Sequence, residues 1–97
     1  MNLMYRLLIE KRVLKVLGNV KRYPAKVHRQ ITMKIFLLQF DPRPPDCRPI
    51  GIGYRVDVGE HRILYTVDDT EQVVRIELVG PRQDDEVYRL ARRLGWL

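Results

Sequence analysis

Apolar residues run from Leu3 to Ile9 with only Tyr5 and Arg6 interrupting, which predicts a strand paired within a sheet. From Glu10 the period changes: Val13, Leu14 and Leu17 recur at helical spacing, and Gly18-Asn19, both tolerant of positive φ, predict the stop. A second helix is predicted to begin at Pro24, whose fixed φ suits a first helical position. Val27, Ile31, Ile35 and Leu38 mark its buried face, with Lys26, Arg29 and Lys34 elsewhere around it. The run from Asp41 to Asp46 holds three prolines and can only be a loop.

Beyond that loop the period becomes two. Tyr54, Val56 and Val58 alternate with Arg55 and Asp57. After a Gly59-Glu60 turn, Ile63, Tyr65 and Val67 alternate with Arg62, Leu64 and Thr66. A polar turn at Asp68–Gln72 leads to a strand from Val73 to Val79, ended by Gly80-Pro81. Asp84, Asp85 and Glu86 precede or open a last helix, and Arg92 and Arg93 lie near its other end, each charge favourable to the helix dipole. Gly95 caps it, leaving Trp96 and Leu97 to fold back. The predicted order is an N-terminal strand, a helical hairpin, a three-stranded antiparallel meander and a short C-terminal helix. This is an α+β fold, with the hairpin covering one face of the sheet.

Ninety-seven residues suit a single domain, 1–97, and 45% hydrophobic content is enough for a compact core. No apolar run approaches the roughly 20 residues that span a membrane. Met1 to Ile9 lacks the ordered regions of a signal peptide, and the single Cys47 fits a reducing compartment, so a cytoplasmic location is expected. The net charge of +6 is unevenly spread. Residues 1–50 carry eleven Lys/Arg against three Asp/Glu, whereas residues 51–97 carry seven against nine. A basic first half suits a polyanion, an acidic protein partner, or simply a solvated surface.

Strand parity places candidate chemistry. If Tyr54, Val56, Val58, Ile63 and Tyr65 face the core, Arg55, Asp57 and Arg62 share the opposite, open face. Arg82 and Tyr88 follow closely enough to reach it. Arginine's planar fork matches phosphate oxygens, though an alternating charged sheet face is commonly just solvated. His28, His61 and Cys47 lack metal-ligand spacing, and Gly51-Ile52-Gly53 is no phosphate loop, so neither metal nor cofactor is expected. His61 titrates near neutrality and is either a proton carrier or a turn residue.

The stretch Gly53-Tyr54-Arg55-Val56-Asp57-Val58-Gly59-Glu60-His61-Arg62-Ile63-Leu64-Tyr65 resembles the central hairpin of the RelE/ParE toxin superfamily. Val79-Gly80-Pro81-Arg82 resembles the segment closing the last strand in that family, and Glu86-Val87-Tyr88 the opening of its terminal helix. The resemblance implies the toxin of a type II toxin–antitoxin system. RelE-like members are ribosome-dependent endoribonucleases that cut messenger RNA in the A site and so inhibit translation. ParE-like members inhibit DNA gyrase, and an inactive member would only bind its antitoxin and operator DNA.

Carried over residue by residue, the RelE-type site falls on Arg55, Arg62, Arg82 and Tyr88, and Tyr88 favours the RelE branch. Two positions depart from the pattern: Asp57 stands where a second cation is common, and Pro81 where a polar residue is usual. The implied chemistry is metal-independent attack of an RNA 2′-hydroxyl on the adjacent phosphodiester. Arg62 and Arg82 would meet the transition-state charge, Arg55 would position the phosphate, and Tyr88 would stack on a base. Asp57, His61 or a ribosomal group is left as proton acceptor. The implied partners are a cognate antitoxin, the ribosome with its messenger, and operator DNA through the antitoxin complex, with no membrane.

Overall fold

The computed structural model describes residues 4–97, the side chain of Asp84 excepted. Leu3, placed by its pattern at the start of the first strand, and the first three residues of the Met1–Ile9 segment lie outside the described residues. The elements are β1 (Arg6–Ile9), α1 (Lys11–Leu17), α2 (Ala25–Leu37), β2 (Arg48–Ile50), β3 (Gly53–Val58), β4 (His61–Asp68), β5 (Val73–Pro81), a 3₁₀ turn (Gln83–Asp85) and α3 (Glu86–Arg93). They form an α+β fold around one five-stranded sheet in the order β1-β5-β4-β3-β2. β1 runs parallel to β5, and every other neighbour is antiparallel. No helix among the described residues is long and apolar enough to cross a membrane.

α1 and α2 cover one face. Val13 and Leu17 from α1, Tyr23 from the connecting turn, and Ile31, Ile35 and Leu38 from α2 and its end are buried there. Beneath them lie Val56, Ile63, Tyr65, Val74, Ile76 and Val79 of the sheet. These are the apolar stripes anticipated from the helical and alternating periods.

The opposite face corrects the expectation of an open surface. Leu64, Leu78, Val87, Ala91 and Trp96 form a second buried cluster, with α3 laid across β4 and β5. One bulge fits β5 to both cores. Leu64 pairs with Leu78 but Tyr65 pairs with Ile76, so Glu77 is an extra residue in β5. The bulge reverses the parity of β5 midway: Ile76 and Val79 both reach the first core, while Leu78 reaches the second. Arg12 of α1 holds the bulge, donating from Nε to the Glu77 carbonyl oxygen and from Nη2 to its carboxylate, both at 2.9 Å.

Chain punctuation differs from the sequence reading in three places. Gly18 ends α1 at φ −74°, in the right-handed region, so it is not a positive-φ stop; Asn19 instead turns the chain by accepting the Lys21 and Arg22 amides on Oδ1. Pro24 is the extended N-cap of α2, one residue ahead of the helix proper. The pattern also gave no strand at Arg48–Ile50, which pairs with β3 at the sheet edge, where Pro49 is tolerated.

The end of α3 is as anticipated. Gly95 adopts φ +85°, its amide bonds to Arg92 O at 3.1 Å and the Trp96 amide to Ala91 O at 2.9 Å. This paired closure returns Trp96 to the second core.

Candidate functional site

The site is built on the β3–β4 hairpin. Gly59-Glu60 closes it so that Asp57 pairs with Arg62 across the strands, and both project to the α3 side of the sheet. Arg62 Nε donates to Asp57 Oδ1 at 2.8 Å and Nη2 to Oδ2 at 3.3 Å. Arg55 Nη1, two residues before Asp57, lies 3.6 Å from the same Oδ2, and Arg82 Nε 3.5 Å from it. One carboxylate therefore gathers three guanidinium groups.

Arg82 is placed by the turn that it follows. Its amide donates to Glu60 O at 2.9 Å and its Nη1 to Gly59 O at 3.3 Å, tying the end of β5 to the hairpin tip. Tyr88 arrives on α3. Its hydroxyl accepts a hydrogen bond from Arg62 Nη1 at 2.7 Å, and its ring centroid lies 4.9 Å from the Arg62 guanidinium carbon. The helix can come this close because Arg62 pairs across β5 with Gly80, where a Cβ would stand 2.5 Å from Val87 Cγ2.

The Arg62 side chain is only 12% exposed, whereas that of Arg82 is 47% exposed and Arg55 30%. The guanidinium at the centre is thus fixed by its neighbours, and the outer two face solvent. Hydrogen bonding from Arg62 holds the Asp57 carboxyl below the usual carboxylate range; burial opposes this, and the charges of Arg62, Arg82 and Arg55 reinforce it. Asp57 raises the pKa of Arg62 in turn, again chiefly through the hydrogen bond. Near neutral pH the cluster carries three positive charges and one negative. A pinned, cationic, partly exposed surface of this kind suits an oxyanion with several oxygens.

Of the six site residues taken from the sequence, Arg55, Asp57, Arg62, Arg82 and Tyr88 come together. His61 does not. Strand alternation turns it to the other face of the sheet, where its ring lies 4.9 Å from that of Tyr23. Burial, followed by the positive charge of Arg22, holds its pKa below the ordinary histidine value. Among the described residues, no group of three His, Cys, Asp or Glu is placed to hold a metal ion.

Two supporting contacts escaped the sequence reading. Gly80 was read as a strand end, although a glycine inside a strand pattern is itself a signal of close backbone approach. Arg22, in the turn after α1, bonds through Nη2 to Glu86 Oε2 at 2.7 Å and ties that turn to the start of α3; no local pattern announces such a contact.

No protein-family model and no curated protein matches the chain. Solved structures do. The archaeal RelE–RelB complex from Pyrococcus horikoshii is similar at 28% identity with a TM-score of 0.72, over 84% of this chain and 98% of that one. A free-state arginine-to-alanine variant of the E. coli toxin RelE is similar at 25% identity and TM-score 0.74, over 94% and 97%.

The chain has a RelE-like fold.

A toxin–antitoxin RelBE complex from Mycobacterium tuberculosis shares the fold at 20% identity and TM-score 0.68, over 81% of this chain and 99% of that one. The RelE-like likeness extends well beyond the central hairpin, since the E. coli comparison spans nearly all of the chain. The resemblance read from residues 53–88 is thereby borne out at the level of the fold.

Proposed function

We propose that this chain is the toxin of a type II toxin–antitoxin pair and an endoribonuclease that cuts messenger RNA in the ribosomal A site. Likeness to RelE toxins and RelBE complexes supports the coarser statement, a type II toxin of the RelE kind with an antitoxin partner. The finer one rests on a single observation: Arg62 is held between Asp57 and the Tyr88 hydroxyl, with Arg55 and Arg82 beside it.

In the proposed step a messenger 2′-oxygen attacks the adjacent phosphorus. The new oxygen–phosphorus bond forms as the bond to the 5′-oxygen breaks, leaving a 2′,3′-cyclic phosphate and a 5′-oxygen that takes a proton from solvent to become the 5′-hydroxyl. Arg62 and Arg82 meet the charge that grows on the non-bridging oxygens. Arg55, more exposed, positions the phosphate, and the Tyr88 ring stacks on a base. Because its hydroxyl oxygen accepts from Arg62, the Tyr88 proton is free to point at substrate.

Asp57 remains ionised and is a weak base, since its pKa is depressed. Its part is to hold Arg62 in place. His61 is on the far side of the sheet. The 2′-hydroxyl proton therefore passes to a group brought by the ribosome, which makes cleavage depend on translation.

One observation favours a second reading. All three arginines already share one carboxylate, which would suit a member that only binds its antitoxin and operator DNA. Primer extension on a translated reporter, shortly after inducing the chain without an antitoxin, separates the readings. Cuts at fixed codon positions that vanish when translation is blocked, and that Arg62→Ala abolishes in a folded protein, are expected. Growth arrest with intact messenger would point to gyrase, and no arrest to the binding module.

A further inference from the structure

α2 has two apolar faces, and only one is used. Ile31, Ile35 and Leu38 enter the core, yet Met33, Phe36, Leu37 and Phe40 are 56%, 51%, 51% and 53% exposed. Their spacings of three, one and three put them on one side of the helix and its final turn. The rings of Phe36 and Phe40 meet edge to face at 5.6 Å. Beside them a shallow hollow of about 270 Å³ is lined by Leu37, Leu38, Phe40 and Pro44, with Lys34 and Asp41 at its edge. Scattered exposed apolar residues are ordinary, but a contiguous stripe with two phenylalanines marks a contact surface.

The same row continues towards the start of α2 as Lys26, Arg29 and Gln30, all exposed. Residues 11–40 contain eight Lys/Arg and no Asp/Glu, and neither Lys26 nor Arg29 has a carboxylate partner among the described residues. This charge decides between occupants. A second copy would bring two acid-free basic helices together, which costs electrostatic energy. RNA would use the cations and leave the phenylalanines in water. An acidic amphipathic helix satisfies both ends of the row.

We propose that the outer face of α2 is the docking surface for an acidic amphipathic segment of the antitoxin, apolar where it meets Met33, Phe36, Leu37 and Phe40 and acidic where it meets Lys26 and Arg29. The naming of the partner rests on the toxin reading above. At 1.5 Å per residue, the row from Lys26 to Phe40 is roughly 20 Å long and matches about fourteen residues of helix. The surface lies on the helical side of the sheet, opposite the arginine cluster, so its occupant would bind without entering the site.

The test uses a fluorescein-labelled sixteen-residue synthetic peptide with leucines at helical spacing towards one end and glutamates elsewhere, plus a scrambled peptide of the same composition. Fluorescence anisotropy at physiological salt is expected to show saturable binding of the patterned peptide and at least tenfold weaker binding of the scrambled one. Phe36→Ser/Leu37→Ser should weaken binding at least tenfold while keeping the circular dichroism spectrum; Met33→Gln substitutes if that pair fails to fold. Lys26→Glu/Arg29→Glu should weaken it too. Equal binding of the scrambled peptide, no effect of the apolar substitutions, or a wild-type dimer that they dissolve in sedimentation would each overturn the proposal. Primer extension with the wild-type chain, set beside its peptide binding, separates the two claims. Wild-type chain that cuts messenger but binds no patterned peptide removes only the docking surface, whereas peptide binding without cutting removes only the nuclease.

Discussion

Asp57 and Arg62 face each other across the β3–β4 hairpin in a two-point ion pair, Nε to Oδ1 at 2.8 Å and Nη2 to Oδ2 at 3.3 Å. The carboxylate does two opposing things. It fixes the most buried guanidinium of the cluster, and it cancels one of the three positive charges that a phosphate would meet. Asp57→Asn separates these effects. Stability is expected to fall by about 1 kcal/mol, between the values of exposed and buried pairs, because Arg62 is well covered and Asp57 is partly exposed. Ribosome binding should tighten and its salt dependence steepen by about one unit of slope, as one more cation becomes available. Cleavage should nevertheless drop, Arg62 being less firmly held. Titrating ribosome binding against salt, alongside primer extension, checks all three; a flatter salt slope would contradict this role.

Tyr88 offers Arg62 both a ring and a hydroxyl, and two substitutions tell them apart. Tyr88→Phe keeps the ring 4.9 Å from the guanidinium and removes the acceptor at 2.7 Å. A lost charge-assisted hydrogen bond of about 1.5–3 kcal/mol corresponds to roughly ten- to a hundredfold slower cutting. Tyr88→Ala should be slower still, having lost the stacking surface. Single-turnover cleavage on programmed ribosomes gives the comparison, and a Phe variant as fast as the wild type would take the hydroxyl out of the mechanism.

Gly80→Ala tests whether the close approach of α3 holds the cluster together. The added methyl would stand 2.5 Å from Val87 Cγ2, and a β-branched side chain has little freedom to yield. A loss of about 1–3 kcal/mol is expected from this overpacking. Trp96 is the single tryptophan and is buried under the same helix, so its fluorescence melt reports the change directly. Unchanged melting would mean that α3 shifts without cost.

His61 supplies a pH dependence. Its folded pKa lies below the ordinary value of 6.5, mainly through burial, so the unfolded chain binds the proton more readily. Its contribution to stability is therefore complete above pH 6.5 and is lost as the pH falls through the depressed folded value. Thermal melts between pH 7.5 and 5 should show the midpoint falling with acid, and His61→Gln should flatten that slope. The same substitution should leave messenger cleavage intact, because the ring sits beside Tyr23 on the face away from Arg62. A steep acid-side slope in the Gln protein would assign the effect to another group.

Much of this was readable in the chain because β-strand parity is strict. Once Val56, Ile63 and Tyr65 are taken as core, Arg55, Asp57 and Arg62 have no choice of face. Arg82 and Tyr88 are different: no local period ties them to the hairpin, and only their closeness to the end of the last strand and family resemblance linked them before the structure put them within reach of Arg62. Leu64 and Leu78 show where the sequence reading fell short. Alternation sends Leu64 to the side opposite the core, and a face bearing arginines reads as wet until α3 and Trp96 are seen to cover part of it. The unused stripe on α2 was equally hidden, since Phe36 and Leu37 read as ordinary apolar members of a helix whose buried face was already accounted for. β2 was missed because three residues containing a proline give too short a pattern to register.

Glu77 is an extra residue that the pairing passes over. Without it Leu78 would follow Ile76 directly, and plain alternation would keep Leu78 and Gly80 on the α3 side and Val79 on the other, every pair unchanged. What would go is the clamp on α1, because both hydrogen bonds by which Arg12 grips the sheet end on Glu77. The faces of β5 thus survive the loss of a residue that its helical cover does not.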